Sequence, residues 1–107
     1  MPKPIDWTVG IPARTLIANG KQVSGHFPLE GEEARAILYR RNESNLTSYI
    51  VYDEEGKAIK RVDLTGKAHA GIPTPHVVEY SHHQNSQKKI FVQANKRVRP
   101  AMPDEIP

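Results

Sequence analysis

The chain has 107 residues, of which 37% are hydrophobic and 9 are proline, and its formal net charge at pH 7 is +3. This length allows one domain with a thin core, and the proline content favours short elements and long loops over a helical bundle. The sequence contains no cysteine, which excludes disulfides, thiolate nucleophiles and cysteine-ligated zinc. No apolar stretch is long enough for a membrane span, the N-terminus lacks the apolar core of a signal peptide, and the mild positive charge suits an anionic partner.

Residues 1–29 are predicted to form an arm or linker segment, and residues 30–107 are predicted to form the domain that carries the site. Three prolines fall within the first twelve residues, which favours an extended chain over a helix. Trp7 is expected to hold this arm on the domain by burying its ring, and the alternative is contact with a base or a partner. His26 is expected to be a packing or surface residue, with a place in the site as the alternative.

Five stretches read as antiparallel strands because they are rich in β-formers and are bounded by turn residues. These predicted strands are residues 37–41, 46–52, 57–65, 76–81 and 88–94. The acidic residues and alanines of 30–36 predict a helical turn, 82–87 a polar turn, and the proline-rich residues 100–107 an extended tail. The predicted fold class is therefore α+β and mainly β, with a small antiparallel sheet of about five strands and one or two short helices.

Alternation within residues 57–65 places Arg61 and Asp63 side by side on one face together with Ile59. The other face of this strand takes Ala58, Lys60, Val62 and Leu64. Two interpretations of the Arg61 and Asp63 neighbours stay open. They form an exposed ion pair of little energetic value, or Asp63 holds Arg61 in place to meet a phosphate.

The stretch 62–80, VDLTGKAHAGIPTPHVVEY, is the centre of the sequence, because its glycines and prolines predict a long loop between two strands. In a small domain such a loop is more often functional than a mere connection. His69 and His76 are seven residues apart, so both imidazoles can turn toward a common point. Two histidines near a cation suit metal-independent RNA cleavage, in which one takes the proton of the 2′-hydroxyl and another protonates the departing 5′ oxygen.

Other interpretations of these residues remain. In the plain structural alternative, His69 caps the loop backbone and His76 forms hydrogen bonds within the hairpin. A metal site would use both histidines with Asp63 or Glu79. His82 and His83 fall at the predicted polar turn, where solvated histidines are ordinary. No serine lies in a G-x-S-x-G elbow, which argues against serine hydrolysis.

Residues 61–77, RVDLTGKAHAGIPTPHV, resemble the signature of the polymorphic toxin type 24 domain, a C-terminal toxin module of bacterial secretion and contact-dependent systems. The segments LYRR at 38–41, YIVYDEEG at 49–56 and RPAMP at 99–103 resemble it too. The likeness thus covers residues 37–107, and the combination G-x-x-H-x-G-x-P-T-P-H-V is a specific one. The sequence departs from the family at Val78, where members often carry histidine.

The resemblance implies an antibacterial or interbacterial effector that is expected to be a nuclease, and more specifically a ribonuclease, with no cofactor. Such a domain is secreted or delivered from a larger effector, acts in the target-cell cytoplasm and is neutralised by a cognate immunity protein. The fold implied by family analogy is the compact sheet-plus-helix fold of microbial RNase toxins.

Carried over by position, the resemblance makes His69 and His76 the acid–base pair and Arg61 the phosphate contact. Asp63 is the orienting partner of Arg61, and Thr74 and Tyr80 are secondary hydrogen-bonders. Cations expected to bind RNA are Lys60, Lys67, Lys88, Lys89, Lys96 and Arg97, although a charge run is usually a solvated face. Aromatic residues available for base stacking are Tyr39, Tyr49, Tyr52 and Phe91, although alternating strand aromatics are more often core. A non-catalytic nucleic-acid- or protein-binding module and a metal-dependent nuclease are the alternative functions.

Overall fold

The structure, a computed structural model, describes residues 4–107 apart from the side chains of 94–96. Its described part contains the helix α1 (Ala13–Ala18), a terminal 3₁₀ turn (Pro103–Glu105) and one six-stranded sheet. The strands are β1 (Lys21–Gln22), β2 (Ile37–Asn42), β3 (Asn45–Tyr52), β4 (Ala58–Asp63), β5 (His76–Gln84) and β6 (Ile90–Pro100). Strands that follow one another in the chain are neighbours in the sheet, with β1 parallel to β2 and every other pair antiparallel.

The predicted fold class is confirmed, because β2 to β6 are the five expected antiparallel strands. The last hairpin differs in extent from its prediction. His82 and His83 pair with Val92 and Phe91 in the sheet, so the turn is confined to residues 85–89. Asn85 closes that turn by accepting from the Lys88 amide and donating to the Lys89 carbonyl, both at 2.9 Å. Pairing with the opposite strand outweighs the low strand preference of these polar residues.

The N-terminal segment is not an extended arm throughout, because residues 13–18 form α1. Pro12 precedes the helix, a position where its missing N–H costs nothing. The helix forms because Ala13 and Leu16 are buried in the core, and packing of an apolar face stabilises short helices more than intrinsic propensity does. The expectation for Trp7 is confirmed: its ring packs against the core, and its indole N–H donates to the Tyr52 carbonyl at 2.7 Å.

Two further local predictions are wrong. Residues 30–36 form no helical turn, because their backbone pairs with the turn between β3 and β4. The Arg35 amide donates to the Asp53 carbonyl at 2.8 Å, and the Tyr52 amide donates to Ala36 at 3.0 Å. The C-terminal tail is not fully extended, because residues 103–105 form a 3₁₀ turn that buries Glu105.

The sheet has a hydrophobic cluster on each side. One side, called the helix face below, carries Tyr49, Val51, Val62 and Val77 and is covered by α1. The other side, called the opposite face, carries Leu38, Ile50, Tyr52, Val78 and Tyr80, and partly buried residues of the segment 23–29 pack against it. The opposite face is the side to which Arg61 and Asp63 belong, because Arg61 pairs with Ile50 and Val78 in register.

A bulge in β4 changes part of the predicted alternation. Tyr52 pairs with Ala58 and Val51 pairs with Lys60, so Ile59 is the extra residue. Ile59 consequently joins the helix-face cluster and Ala58 joins the opposite one, the reverse of the prediction for these two positions. Beyond the bulge the predicted alternation holds.

Lys60 is buried on the helix face, where its side chain is 6% exposed. Its Nζ lies 2.7 Å from Asp6 Oδ2 and 2.9 Å from Glu105 Oε2. Arg99 binds the same Glu105 carboxylate at 2.7 Å and Glu79 at 3.2 Å. This set, called the terminal ion cluster below, joins the N-terminal and C-terminal segments across the sheet.

Candidate functional site

A row of polar side chains crosses the opposite face at the end of the sheet nearest the loop of residues 64–75. Arg40 of β2 pairs with Ser48 of β3, Ser48 with Asp63 of β4, and Asp63 with His76 of β5. Directly paired residues of antiparallel strands project from the same side and touch their neighbours. The sheet therefore brings together four polar residues from four strands.

The predicted pairing of Arg61 with Asp63 is present. Arg61 Nε donates to Asp63 Oδ1 at 2.9 Å, and Nη2 donates to Oδ2 at 3.0 Å. The two side chains are 27% and 17% exposed, so this is a partly buried bidentate pair and not a solvated surface contact. The Arg61 guanidinium is held in one orientation.

His76 lies on the other side of Asp63 and is 1% exposed. Its Nε2 is 2.8 Å from Asp63 Oδ2, and its Nδ1 is 3.0 Å from the Ile72 carbonyl oxygen. A carbonyl oxygen can only accept, so Nδ1 is the donor in the contact with Ile72. Asp63 thus joins Arg61 and His76 in one hydrogen-bonded network.

His69 is exposed, and its ring stands edge-on to the His76 ring, with centroids 6.1 Å apart and an interplanar angle of 88°. A tight turn positions it: the His69 and Ile72 backbones exchange hydrogen bonds of 3.0 and 2.9 Å. The two central residues, Ala70 and Gly71, have φ of 51° and 80°, as a type I′ turn requires. The loop therefore presents one accessible imidazole above one buried imidazole.

Tyr80 and Thr74 occupy different places. Tyr80 is 5% exposed, and burial raises the pKa of its phenol, although a hydrogen bond with Arg61 acts against that rise. The hydroxyl therefore stays protonated at neutral pH next to the guanidinium. Thr74 donates its hydroxyl to the Gly66 carbonyl at 3.3 Å, which ties the two limbs of the loop together.

Sequence reasoning missed Arg40 and Ser48. Arg40 donates through Nε and Nη2 to Ser48 Oγ at 3.0 and 2.9 Å and through Nη1 to the Gly25 carbonyl at 3.0 Å. Its guanidinium also lies over the Phe27 ring, 4.4 Å from the centroid. The available signal was a lone serine inside the apolar run of β3, but its partner in β2 depends on a register that the sequence does not show.

The basic residues predicted to bind RNA are dispersed. Lys60 is buried in the terminal ion cluster on the helix face, so it is not available to a phosphate. Lys67 is exposed in the loop, and Lys88 and Lys89 are exposed at the tip of the last hairpin. That tip is eight residues beyond His76, or about 25 Å along β5. The side chain of Lys96 lies outside the described part of the chain.

Arg97 is exposed and pairs in register with Glu79, which places it on the helix face.

The aromatic residues available for base stacking differ in their exposure. Tyr49 and Tyr52 are fully buried, so the core interpretation is correct for both. Tyr39 and Phe91 are partly exposed and each has a cation over its ring, Arg41 at 5.3 Å and Lys89 at 5.5 Å.

Metal-ligating groups do not gather in the described part of the chain, where no three His, Asp or Glu side chains are placed to hold an ion. Glu79, the alternative to Asp63 in the predicted metal site, pairs with Lys60 in register and so faces the helix side. The expectation of a solvated His82 is wrong, because its Nε2 donates to the Ala58 carbonyl at 2.9 Å. Among the described residues, no helix has the length and apolar character needed to cross a membrane.

Comparison with known protein families matches residues 17–107 to the family described as Bacterial toxin 24. This range includes the whole polar row and the histidine loop, and it begins earlier than the likeness read from the sequence. Comparison with curated proteins found no match, and comparison with solved structures found none either, so the expected likeness to the microbial RNase toxin fold stays a prediction. The family match confirms the resemblance, and the chain belongs to the bacterial toxin 24 family.

Proposed function

We propose that this toxin domain is a ribonuclease that cleaves cellular RNA at the 2′-hydroxyl without a metal ion. The observation that carries the proposal is the pair of imidazoles at the end of the sheet, with the accessible His69 ring 6.1 Å from the buried His76 ring. Asp63, which contacts His76, also holds Arg61 through two hydrogen bonds. His69 is thus linked to the fixed Arg61 through His76 and Asp63. An accessible imidazole and a fixed guanidinium on one site can provide proton transfer and charge stabilisation at a phosphate.

In the proposed reaction, His69 takes the proton of the ribose 2′-hydroxyl, and the 2′ oxygen attacks the adjacent phosphorus. The five-coordinate phosphorane collapses as its bond to the 5′ oxygen breaks, and the His69 imidazolium returns the proton to that oxygen. The products are a 2′,3′-cyclic phosphate and a 5′-hydroxyl, so atoms and charges balance without a co-reactant. Imidazole suits this exchange because it accepts and donates protons near neutral pH.

The two histidines have different parts in this proposal. Both ring nitrogens of His76 are occupied, by Ile72 and by Asp63, so His76 is a positioning residue that acts through His69 and the loop. Arg61 contacts the phosphate and stabilises the phosphorane, because Asp63 holds its guanidinium before the charge develops. Burial thus favours His69 over His76 as the group that touches the substrate.

Family membership supports the wider setting of the proposal. A toxin of this family is consistent with delivery into target cells and with an immunity partner. We therefore include in the proposal delivery from a larger effector, action in the target-cell cytoplasm and neutralisation by a cognate immunity protein. A binding module without turnover and a metal-dependent nuclease are the rival functions, and the same assay separates all three.

The test is incubation of the folded protein with total cellular RNA in excess chelator. We expect discrete fragments that end in 2′,3′-cyclic phosphate. His69→Ala should abolish cleavage, and removal of one acid–base group typically lowers the rate by about 10²–10⁴. His76→Ala should reduce cleavage less than His69→Ala does. His83→Ala, an exposed histidine of the last hairpin, is the matched control and should cleave like the wild type.

Intact RNA with the folded wild type in chelator, but cleavage on addition of a divalent metal, would favour the metal-dependent rival. Binding of RNA without any cleavage under either condition would favour the binding module. Equal losses in His83→Ala and His69→Ala would remove His69 from its proposed role.

A further inference from the structure

Arg40 is a guanidinium on the opposite face with an unbalanced charge. Its hydrogen bonds go to two neutral oxygens, Ser48 Oγ and the Gly25 carbonyl, and Phe27 lies under its plane. Among the described residues, no carboxylate forms an ion pair with it. Arginine side chains carry considerable rotamer freedom, so a partly buried guanidinium fixed without a counter-charge is prepared for a ligand that is not part of the chain.

The surroundings of Arg40 are positive as a whole. Arg40 and Arg61 both act on the Tyr80 hydroxyl, Arg61 through a hydrogen bond and Arg40 through its charge. Asp63 is the carboxylate of the polar row, and it is already bound by Arg61 and His76. Two guanidiniums against one carboxylate leave a net positive charge around a neutral phenol, and guanidinium groups bind phosphate oxygens with directed hydrogen bonds.

We propose that Arg40 forms an anion subsite that binds a backbone phosphate of the RNA, separate from the phosphate at which His69 acts. This inference rests on the proposed ribonuclease function for the identity of the ligand. The Arg40 guanidinium lies over Ser48 of β3, two strand spacings or about 10 Å from β5 and its His76. It therefore holds the RNA strand at a second point and aligns the scissile phosphate with His69 and Arg61.

The experiment measures binding without turnover. Pyrophosphate and a 2′-deoxy oligonucleotide, which lacks the attacking hydroxyl, are titrated into the folded protein and followed by nuclear magnetic resonance. Arg40→Gln should weaken binding of both ligands about tenfold, the loss expected for one charge-assisted contact. Arg41→Gln is the matched control, because Arg41 is the next residue in β2, is exposed and donates to the Ser44 carbonyl at 3.1 Å.

Ser48→Ala tests the support of the guanidinium. It removes the acceptor of two Arg40 hydrogen bonds while leaving the charge, so binding should weaken by less than in Arg40→Gln. Circular dichroism and the urea midpoint establish that each variant is folded. Arg40→Lys should recover part of the lost binding, because an ammonium restores the charge but not the planar fork.

The outcomes separate this inference from the ribonuclease proposal. Unchanged binding of both ligands in folded Arg40→Gln overturns the subsite. Loss of pyrophosphate binding alone, with the oligonucleotide unaffected, overturns its assignment to RNA. Binding that depends on Arg40 for both ligands, in a protein that cuts no RNA, would sink the ribonuclease proposal and leave the subsite standing.

Discussion

Asp63 is the residue on which the candidate site depends most. One of its oxygens accepts from Arg61 Nε, and the other accepts from Arg61 Nη2 and faces His76 Nε2. Removing its charge would leave the partly buried Arg61 guanidinium and the buried His76 imidazole without their partner, which costs more than the loss of a solvated ion pair.

Asp63→Asn tests this dependence. The substitution keeps the volume of the side chain but removes the anion, so we expect the free energy of unfolding to fall by about 2 kcal/mol. Urea unfolding measures it, and Glu55→Gln in the exposed turn after β3 is the control, expected to stay within about 0.5 kcal/mol of the wild type. Equal stabilities of the two variants would mean that the network contributes nothing to the fold.

The sequence shows some of these residue contacts and hides others for a physical reason. Arg61 and Asp63 are two residues apart in one strand, so alternation alone predicts that they meet. Arg40 and Ser48 meet only through the pairing of β2 with β3, and an irregularity after Arg40 shifts that register. Lys60 looked accessible because its partners lie 45 or more residues away, in the two terminal segments.

At the scale of elements, strands were easier to predict than the segments that cover them. The strands contain dense β-formers between clear turns, and those local signals agree with the sheet. The helix α1 was missed because its stability comes from Ala13 and Leu16 in the core, a tertiary effect that proline-rich surroundings conceal. The absent helical turn at 30–36 has the same origin, since the Glu32 and Arg35 amides donate to carbonyls of the turn after β3.

That turn supplies an element-scale prediction. Gly56 has φ of +73°, and a Cβ added to it would lie 1.9 Å from the backbone oxygen of Glu32. Gly56→Ala therefore combines left-handed strain with a clash between the new Cβ and the Glu32 backbone. We expect the free energy of unfolding, measured in urea, to fall by roughly 3 kcal/mol.

Gly31→Ala is the control for this substitution. Gly31 has a similar φ of +88°, but an added Cβ would meet nothing within 4 Å. Gly31→Ala should lower the free energy of unfolding only by the cost of the left-handed backbone conformation, about 1–2 kcal/mol. If the two alanine variants were equally stable, the close approach of residues 30–36 to the turn would not matter to the fold.

For the whole molecule, the terminal ion cluster has a role that the core cannot fill. A chain of this length has a thin core, and here buried charges connect the two ends of the chain to the middle of the sheet. Asp6 and Glu105 meet at Lys60 Nζ, while Arg99 joins Glu105 to Glu79. Such a set is stable only while its carboxylates are ionised, so the ends of the chain should respond to acid together.

Glu105 makes this response testable. Burial acts to raise the pKa of its carboxyl, but hydrogen bonds from Arg99, the Met102 amide and Lys60 outweigh burial and lower the pKa from 4.5 to about 2. The folded pKa is below the unfolded one, so the stabilisation is complete above pH 4.5 and is lost as the pH falls through about 2. For one carboxylate this amounts to on the order of 3 kcal/mol.

We therefore expect the urea midpoint of the wild type to fall steeply as the pH is lowered from 4.5 toward 2. Glu105→Gln cannot ionise, so it should be less stable at neutral pH and should show a shallower decline over the same range. Glu43→Gln, at the exposed turn between β2 and β3, is the control and should keep the slope of the wild type. Parallel declines in all three proteins would assign the acid sensitivity to other carboxylates, whereas a selective flattening in Glu105→Gln would show that the joined termini set the acid limit of the fold.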